Sequence, residues 1–386
     1  MKILFVSECY PSAERPQYAI YLEQQAKALC KLGHTVDVLV PRLSGSDAPQ
    51  ISEGEYNGLR LYYATVRAGR ISRLLWLYAR RNILDRFDFS AYDAVSVHIA
   101  SHGLLPTILR HCHTLGIPVI QHFHGLNVWQ DYHVKGGLLR RLLHWRNTAL
   151  RLRHLRRCDA IVGVSDKVCD TVRERLTEVP LFTVYNGVDL ERFPADGKRK
   201  NEIFTVICVA NLIPIKGHEY LIEAVARIKN EGTPIRLQLV GAGPEEARLK
   251  ALCGALGIAE DVEFLGWRAY DEVARLMKNA DVFAMPSYFE AFGCVYLEAM
   301  SAGTLTCGCR GTGADEIIRH GIDGLLAEPH SSDGVYDCLR VALDEPERAS
   351  RIAECGIERA RGFSWMASAH SLEAVYTFVK RSDKER

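Results

Sequence analysis

The chain has 386 residues, 48% hydrophobic and 25% charged, too long for one ordinary domain and typical of a globular protein of two. No apolar run approaches the ~18 residues of a membrane span, and no cleavage signature follows the apolar opening Lys2 to Val6, so neither a spanning helix nor a signal peptide is expected. The net charge of +1 hides an asymmetry, since residues 1–187 hold 24 Lys and Arg against 16 Asp and Glu and the remainder 24 against 31; this points the first half toward an anionic partner.

From the N-terminus, short apolar runs read as strands at Lys2–Ser7, Thr35–Val40, Ala94–His98, Pro118–Gln121 and Ala160–Val164. Between them Tyr18–Lys31, Gly103–Leu115, Leu138–Arg156 and Lys167–Leu176 carry helical periodicity. Such alternation predicts a parallel sheet flanked by helices. The polar, turn-rich stretch Phe193-Pro-Ala-Asp-Gly-Lys-Arg-Lys-Asn201 reads as a linker, after which the pattern restarts with strands Phe204–Val209, Arg236–Val240, Val262–Leu265, Val282–Met285 and Leu305–Cys307. Two such domains place a ligand in the cleft between them, at the carboxyl ends of the strands. Twelve cysteines without CxxC pairs argue for reduced thiols in a cytoplasm. His111-Cys-His113 looks metal-like, but on a helix positions two apart do not share a face, so no metal is expected there. The basic residues come with no recognition motif or interleaved aromatics, which excludes nucleic acid.

The most informative stretch is Pro286-Ser-Tyr-Phe-Glu-Ala-Phe-Gly-Cys-Val-Tyr-Leu-Glu-Ala-Met-Ser-Ala-Gly303. A strand ends at Pro286, a loop carries Glu290 and Gly293, and a helix then carries Glu298. The helix N-terminus suits a phosphate, and a carboxylate on either side accepts hydrogen bonds from hydroxyls. A nucleotide-sugar has this layout of ribose, diphosphate and sugar. The competing account is a cap residue and an ordinary satisfied helix glutamate. Lys216, in Val209-Ala-Asn-Leu-Ile-Pro-Ile-Lys-Gly217, sits near another helix N-terminus, where a cation is disfavoured unless an anion faces it. A diphosphate would be that anion, and a frayed surface lysine is the plainer alternative.

The run with Glu290 and Glu298 resembles the signature of retaining glycosyltransferases with two Rossmann-like domains, the family-4 or GT-B type, and is similar to enzymes of bacterial surface polysaccharide assembly, the teichuronic-acid type included. Met1-Lys-Ile-Leu-Phe-Val, Leu32-Gly-His-Thr-Val, His124-Gly125, Val164-Ser165, Asn186-Gly-Val-Asp189, Lys216-Gly217, Val240-Gly-Ala-Gly-Pro244, Phe264-Leu-Gly-Trp267 and Glu316-Ile-Ile fall in the family's order, and Phe363-Ser-Trp365 resembles the start of its closing helix. The resemblance implies an α/β GT-B fold, with an acceptor-binding domain over 1–187, a nucleotide-sugar-binding domain over 188–363, and a helix over 364–380 crossing back to the first.

It also implies site roles. Glu298 binds the ribose hydroxyls. Glu290 and the backbone of Ala291, Phe292 and Gly293 hold the donor sugar and phosphate, and His124 contacts the donor sugar near the reacting carbon. Trp267 and Arg268 flank the nucleobase, with a core tryptophan as the alternative. Gly241 and Gly243 let the backbone approach the ligand, unless they form a plain connecting turn. The family usually has arginine where Asn211 stands, so Lys216 alone carries the charge toward the diphosphate. It often has aspartate at Asn127 and a glycine pair after the first strand; here only Ala19 represents one of those glycines, and Arg15 and Tyr18 are candidates for the acceptor.

The expected activity is sugar transfer from a nucleoside diphosphate donor, UDP slightly preferred, to a polysaccharide or lipid-linked glycan. No metal cofactor is expected, because no DxD-type carboxylate pair follows a strand. A dehydrogenase fails for want of GxGxxG after Ser7. A nucleotide-sugar epimerase of the same fold and a non-catalytic sugar-nucleotide-binding scaffold are the remaining rivals. Leu138 to Arg157 places Leu138, Leu142, Trp145, Ala149 and Leu152 down one stripe, with Arg140, Arg141, Arg146, Arg151, Arg153, Arg156 and Arg157 around it. Arg67 to Arg86 is a second Arg-rich segment. These stripes are either ordinary domain core beside a solvated face, or a surface that docks on anionic lipid and makes the protein peripheral on the inner face of the plasma membrane.

Overall fold

A computed structural model describes residues 1–44, 50–67, 83–98, 104–125, 138–196 and 201–384. The chain divides into two compact units, Met1–Tyr185 with Trp365–Arg386, and Asn186–Ser364.

The described elements of the first unit are β1 (Lys2–Val6), α1 (Ile20–Lys31), β2 (Thr35–Ser44), β3 (Gln50–Tyr56), β4 (Leu59–Arg67), β5 (Ala94–Val97), α2 (Leu105–Thr114), β6 (Val119–Phe123), α3 (Leu138–Leu155), β7 (Ala160–Gly163), α4 (Asp166–Arg173) and β8 (Leu181–Thr183). The sheet runs β3-β4-β2-β1-β5-β6-β7-β8. Ile3, Leu4, Phe5 and Val6 of central β1 are fully buried, as a strand covered on both faces requires. The order changes direction between β1 and β5, the switch point at which open α/β sheets bind ligands.

This sheet departs from the expected one at its edges. It is parallel except for β3, which pairs antiparallel with β4 through a turn at Asn57 and Gly58, both at positive φ. Neither strand of this hairpin was expected, nor was β8. Two residues at positive φ give the turn a twist that matches the flanking strands.

The second unit holds β9 (Phe204–Val209), α5 (His218–Asn230), β10 (Ile235–Val240), α6 (Glu246–Ala255), β11 (Val262–Gly266), α7 (Tyr270–Asn279), β12 (Val282–Ala284), α8 (Cys294–Ser301), β13 (Leu305–Cys309), α9 (Ala314–Ile317), β14 (Leu325–Ala327), α10 (Ser332–Asp344) and α11 (Pro346–Arg361). Its sheet is wholly parallel in the order β11-β10-β9-β12-β13-β14, so the switch point lies between β9 and β12. The expected linker is corrected at its start: Phe193 is fully buried in this unit, and Ser301 Oγ donates to its carbonyl at 2.7 Å. Contacts thin out before it, at Tyr185 and Asn186.

The closing helix α12 (Trp365–Lys384) belongs to the first unit. Its Ala369, Leu372, Val375, Tyr376 and Val379, at helical spacing, share one core with Leu22, Ala26 and Leu29 of α1 and with Ile3 and Phe5. Both helices therefore cover the same face of the first sheet.

Candidate active site

The loops leaving β9 and β12 are neighbours because their strands are. They are also stitched together. Tyr288 N donates to Ile215 O at 3.1 Å, and Ser287 Oγ donates to the same carbonyl at 3.0 Å. Gly217, at φ 69°, lies so close that a Cβ would fall 2.2 Å from Pro286 O. This packing brings Lys216 Nζ to 2.5 Å from Glu290 Oε2, a partly buried ion pair between residues 74 apart in sequence. The misfit of a cation near a helix N-terminus is thus met here by Glu290. Gly217 and Gly293 precede α5 and α8 in left-handed conformations and supply no side-chain cap. Gly313 N donates to Glu290 O at 2.9 Å and packs against the Ala291 backbone, which fixes the loop from the other side. Phe292 is buried, 6.0 Å from the Phe363 ring.

Glu298 lies a turn inside α8, and Tyr270 Oη donates to its Oε1 at 2.6 Å. Burial pushes the Glu298 carboxyl up to about 7, with the tyrosine bond pulling the other way. Tyr270 was not among the expected site residues; it opens a helix without any motif of its own. Trp267 is 60% exposed, which overturns the core alternative, and Arg268 pairs with Glu272 at 3.4 Å. Asn211 is exposed. Gly241 and Gly243 make room for protein: a Cβ would fall 2.0 Å from Ala210 O at the first and 2.2 Å from Leu212 O at the second. Close approach of the neighbouring loop fits the connecting-turn alternative for both glycines.

In the first unit, His98 follows β5 at the switch point and His122 and His124 lie at the end of β6. His98 Nδ1 is 3.0 Å from His124 Nε2, with the two rings inclined by only 17° and their centroids 5.2 Å apart. His122 stacks on His98 at 4.1 Å and turns its Nε2 to Ser96 Oγ, which in turn meets Tyr376 Oη at 2.7 Å. Burial lowers all three imidazoles, His124 to about 4. Their ligand atoms lie within 4.8 Å of one another, the one such group among the described residues. Each ring already has one nitrogen engaged, His98 Nδ1 with His124 Nε2 and His122 Nε2 with Ser96 Oγ. His98 and Ser96 went unnoticed in the sequence; the signal was a polar pair ending an apolar strand. His111 and His113 have separate carboxylate partners, Asp85 and Asp159. Ala19 adopts φ 55°, a left-handed conformation that favours glycine.

Of the expected apolar stripe of α3, Trp145 is 69% exposed and Ala149 is exposed, while Leu152 is half-buried. Arg146, Arg153, Arg156 and Arg157 are exposed, whereas Arg151 folds over the Phe123 ring at 5.4 Å with one buried nitrogen unbonded among the described residues. Residues 68–82, most of the second Arg-rich segment, and Asn127 lie outside the described residues.

Residues 19–192 match the model described as Glycosyltransferase Family 4, and residues 190–359 match the one described as Glycosyl transferases group 1. The uncharacterized glycosyltransferase MJ1607 of Methanocaldococcus jannaschii is 28% identical over 97% of this chain and 98% of its own. Among solved structures, the sucrose-phosphate synthase of Thermosynechococcus elongatus superposes with a TM-score of 0.76 at 19% identity, covering 99% of this chain and 100% of that one. Anabaena Alr3699/HepE in complex with UDP gives 0.73 at 18%, covering 98% and 100%.

Proposed function

Because this chain is a two-domain GT-B glycosyltransferase whose halves match the family 4 and group 1 models, we propose that it moves a sugar from a UDP-linked donor to a polysaccharide or lipid-linked glycan, with retention at the anomeric carbon and without a metal. The observation that carries this reading is the Lys216–Glu290 pair at the β9/β12 switch point, with Glu298 on the helix that follows. In the proposed mechanism the donor diphosphate takes over Lys216, whose ammonium and the N-termini of α5 and α8 stabilise charge building on the leaving phosphate. Glu290, released from Lys216, accepts from donor-sugar hydroxyls, and this contact strengthens as positive charge develops on the ring. Glu298 accepts from the ribose hydroxyls, and exposed Trp267 offers a face to the base. His124 meets a sugar hydroxyl as a neutral imidazole. The epimerase alternative is not favoured, since both matching models describe transferases.

For the acceptor side, α3 supports a peripheral membrane reading. Trp145 and Leu150 are exposed beside Arg146 and Arg153, the combination of apolar and cationic groups that suits an anionic interface.

The test is to incubate the protein with labelled UDP- and GDP-sugars and lipid-linked glycans, with and without chelator, and to assign the anomer formed by NMR. Transfer from a UDP-sugar, with retained configuration and indifferent to chelator, is expected. Hydrolysis or epimerisation in place of transfer would overturn the reading.

A further inference from the structure

The backbone of the loop that carries Glu290 is held at two places. Tyr288 N and Ser287 Oγ both bond to Ile215 O, and two bonds to one carbonyl let the loop turn about it. Gly313 N meets the loop at Glu290 O. Lys216 also holds the Glu290 carboxylate, but on the proposed reading a donor diphosphate takes that cation away. The side chain of Tyr288 supplies a further fixed point.

The half-buried Tyr288 ring packs on the His330 imidazole, with centroids 4.0 Å apart and planes inclined by 37°. His330 Nδ1 shares a hydrogen bond of 2.9 Å with Tyr220 Oη, and these two rings meet edge to face at 5.7 Å. Glu219 flanks the same hydroxyl and is itself paired with Arg248 at 2.7 Å. Tyr220 lies in the first turn of α5, just beyond Lys216, whereas His330 lies between β14 and α10, next to the cap residue Ser331. One imidazole thus joins the Glu290 loop to the start of α5.

His330 does not fill a core, because it is exposed. Nor does its backbone call for a side chain. Its φ is 59°, a left-handed conformation that glycine adopts freely and other residues adopt under strain. The two ring contacts and the hydrogen bond offset that strain. We propose that His330 is a positioning residue that clamps the Glu290 loop onto α5 through Tyr288 and Tyr220, so that Glu290 keeps its place when a diphosphate draws Lys216 away. The role in turnover rests on the glycosyltransferase reading; the clamp does not.

The experiment compares wild type, His330→Gly, Tyr220→Phe and the double variant by hydrogen exchange, UDP titration and turnover with a UDP-sugar. Glycine suits the backbone at 330, and Tyr220→Phe removes a single oxygen, so the variants are expected to fold. In His330→Gly the amides of residues 286–293 should exchange faster, while those of β9 stay as they were. Its kcat should fall about ten- to a hundredfold, the scale of a small misplacement of a reacting group. UDP affinity should stay unchanged, because Glu290 is assigned to the sugar. Tyr220→Phe should have a smaller effect of the same kind and add nothing in the double variant, since both act through one imidazole. Exchange over 286–293 that is the same with and without His330 overturns the clamp, and so do additive effects of the two substitutions. Faster exchange with normal turnover overturns the positioning role. A wild-type protein that transfers no sugar counts against the functional reading, and the exchange measurement still decides the clamp.

Discussion

Lys216 Nζ and Glu290 Oε2 lie 2.5 Å apart although 74 residues separate them, and the bond joins the loops of the two strands that flank the second sheet's switch point. On the proposed reading, a diphosphate arriving there would replace one anionic partner of Lys216 with another. Lys216→Ala is expected to lose turnover by about two to three orders of magnitude, the scale of one leaving-group stabiliser. Steady-state kinetics check this, and near-normal activity would remove the diphosphate role.

Exposed Asn211 leaves room for a longer side chain. Asn211→Arg should raise UDP affinity about tenfold through one charge-assisted bond, with stability shifted by no more than about 0.5 kcal/mol. Calorimetric titration and urea unfolding measure the two effects, and unchanged affinity would separate Asn211 from the phosphates.

If Glu298 accepts from the ribose hydroxyls as proposed, nucleotide binding carries a pH signature, because burial keeps this carboxyl protonated below about 7. UDP affinity should therefore rise with pH, by up to about tenfold between pH 6 and 8, and Glu298→Gln should lack the rise. Tyr270→Phe removes a bond that favours ionisation, so its midpoint should move to higher pH. Identical pH profiles in wild type and Glu298→Gln would detach Glu298 from the ribose.

Much of this was legible in the sequence because its signals are local. The alternation of strands and helices marked two Rossmann-like units, and Gly217 and Gly293 stand where helices begin. Asn57-Gly58 between alternating strands is a strong hairpin signal that passed unused. The Lys216–Glu290 pair, the Tyr270–Glu298 bond and the His98–His124 bond were hidden for one reason: each joins residues from different elements, and periodicity carries no information about which loops a sheet order makes adjacent. At Gly241 and Gly243 the sequence left a turn and a ligand approach open, because a glycine needed by a neighbouring loop looks like one needed by a ligand.

Ala19 in its left-handed conformation offers a stability test. Relief of roughly 1–2 kcal/mol for a non-glycine residue there outweighs the roughly 0.5–1 kcal/mol of added chain entropy. Ala19→Gly should stabilise the protein modestly, raising the urea midpoint with m unchanged; a lowered midpoint would contradict this.

Membrane docking through α3 predicts flotation with vesicles that increases with anionic lipid and falls with salt. Arg146→Glu with Arg153→Glu should weaken it. Arg151 is left intact, since it packs on Phe123. Binding indifferent to lipid charge would make the arginines a solvated face.

The most direct test of the donor site is calorimetric titration of UDP into wild type, Glu298→Ala and Glu290→Ala, alongside turnover with a UDP-sugar. Glu298→Ala should weaken UDP binding, whereas Glu290→Ala should keep it and lose turnover, because its contact is made to the sugar. Equal loss of UDP affinity in both variants would contradict the assignment of one carboxylate to the ribose and the other to the sugar.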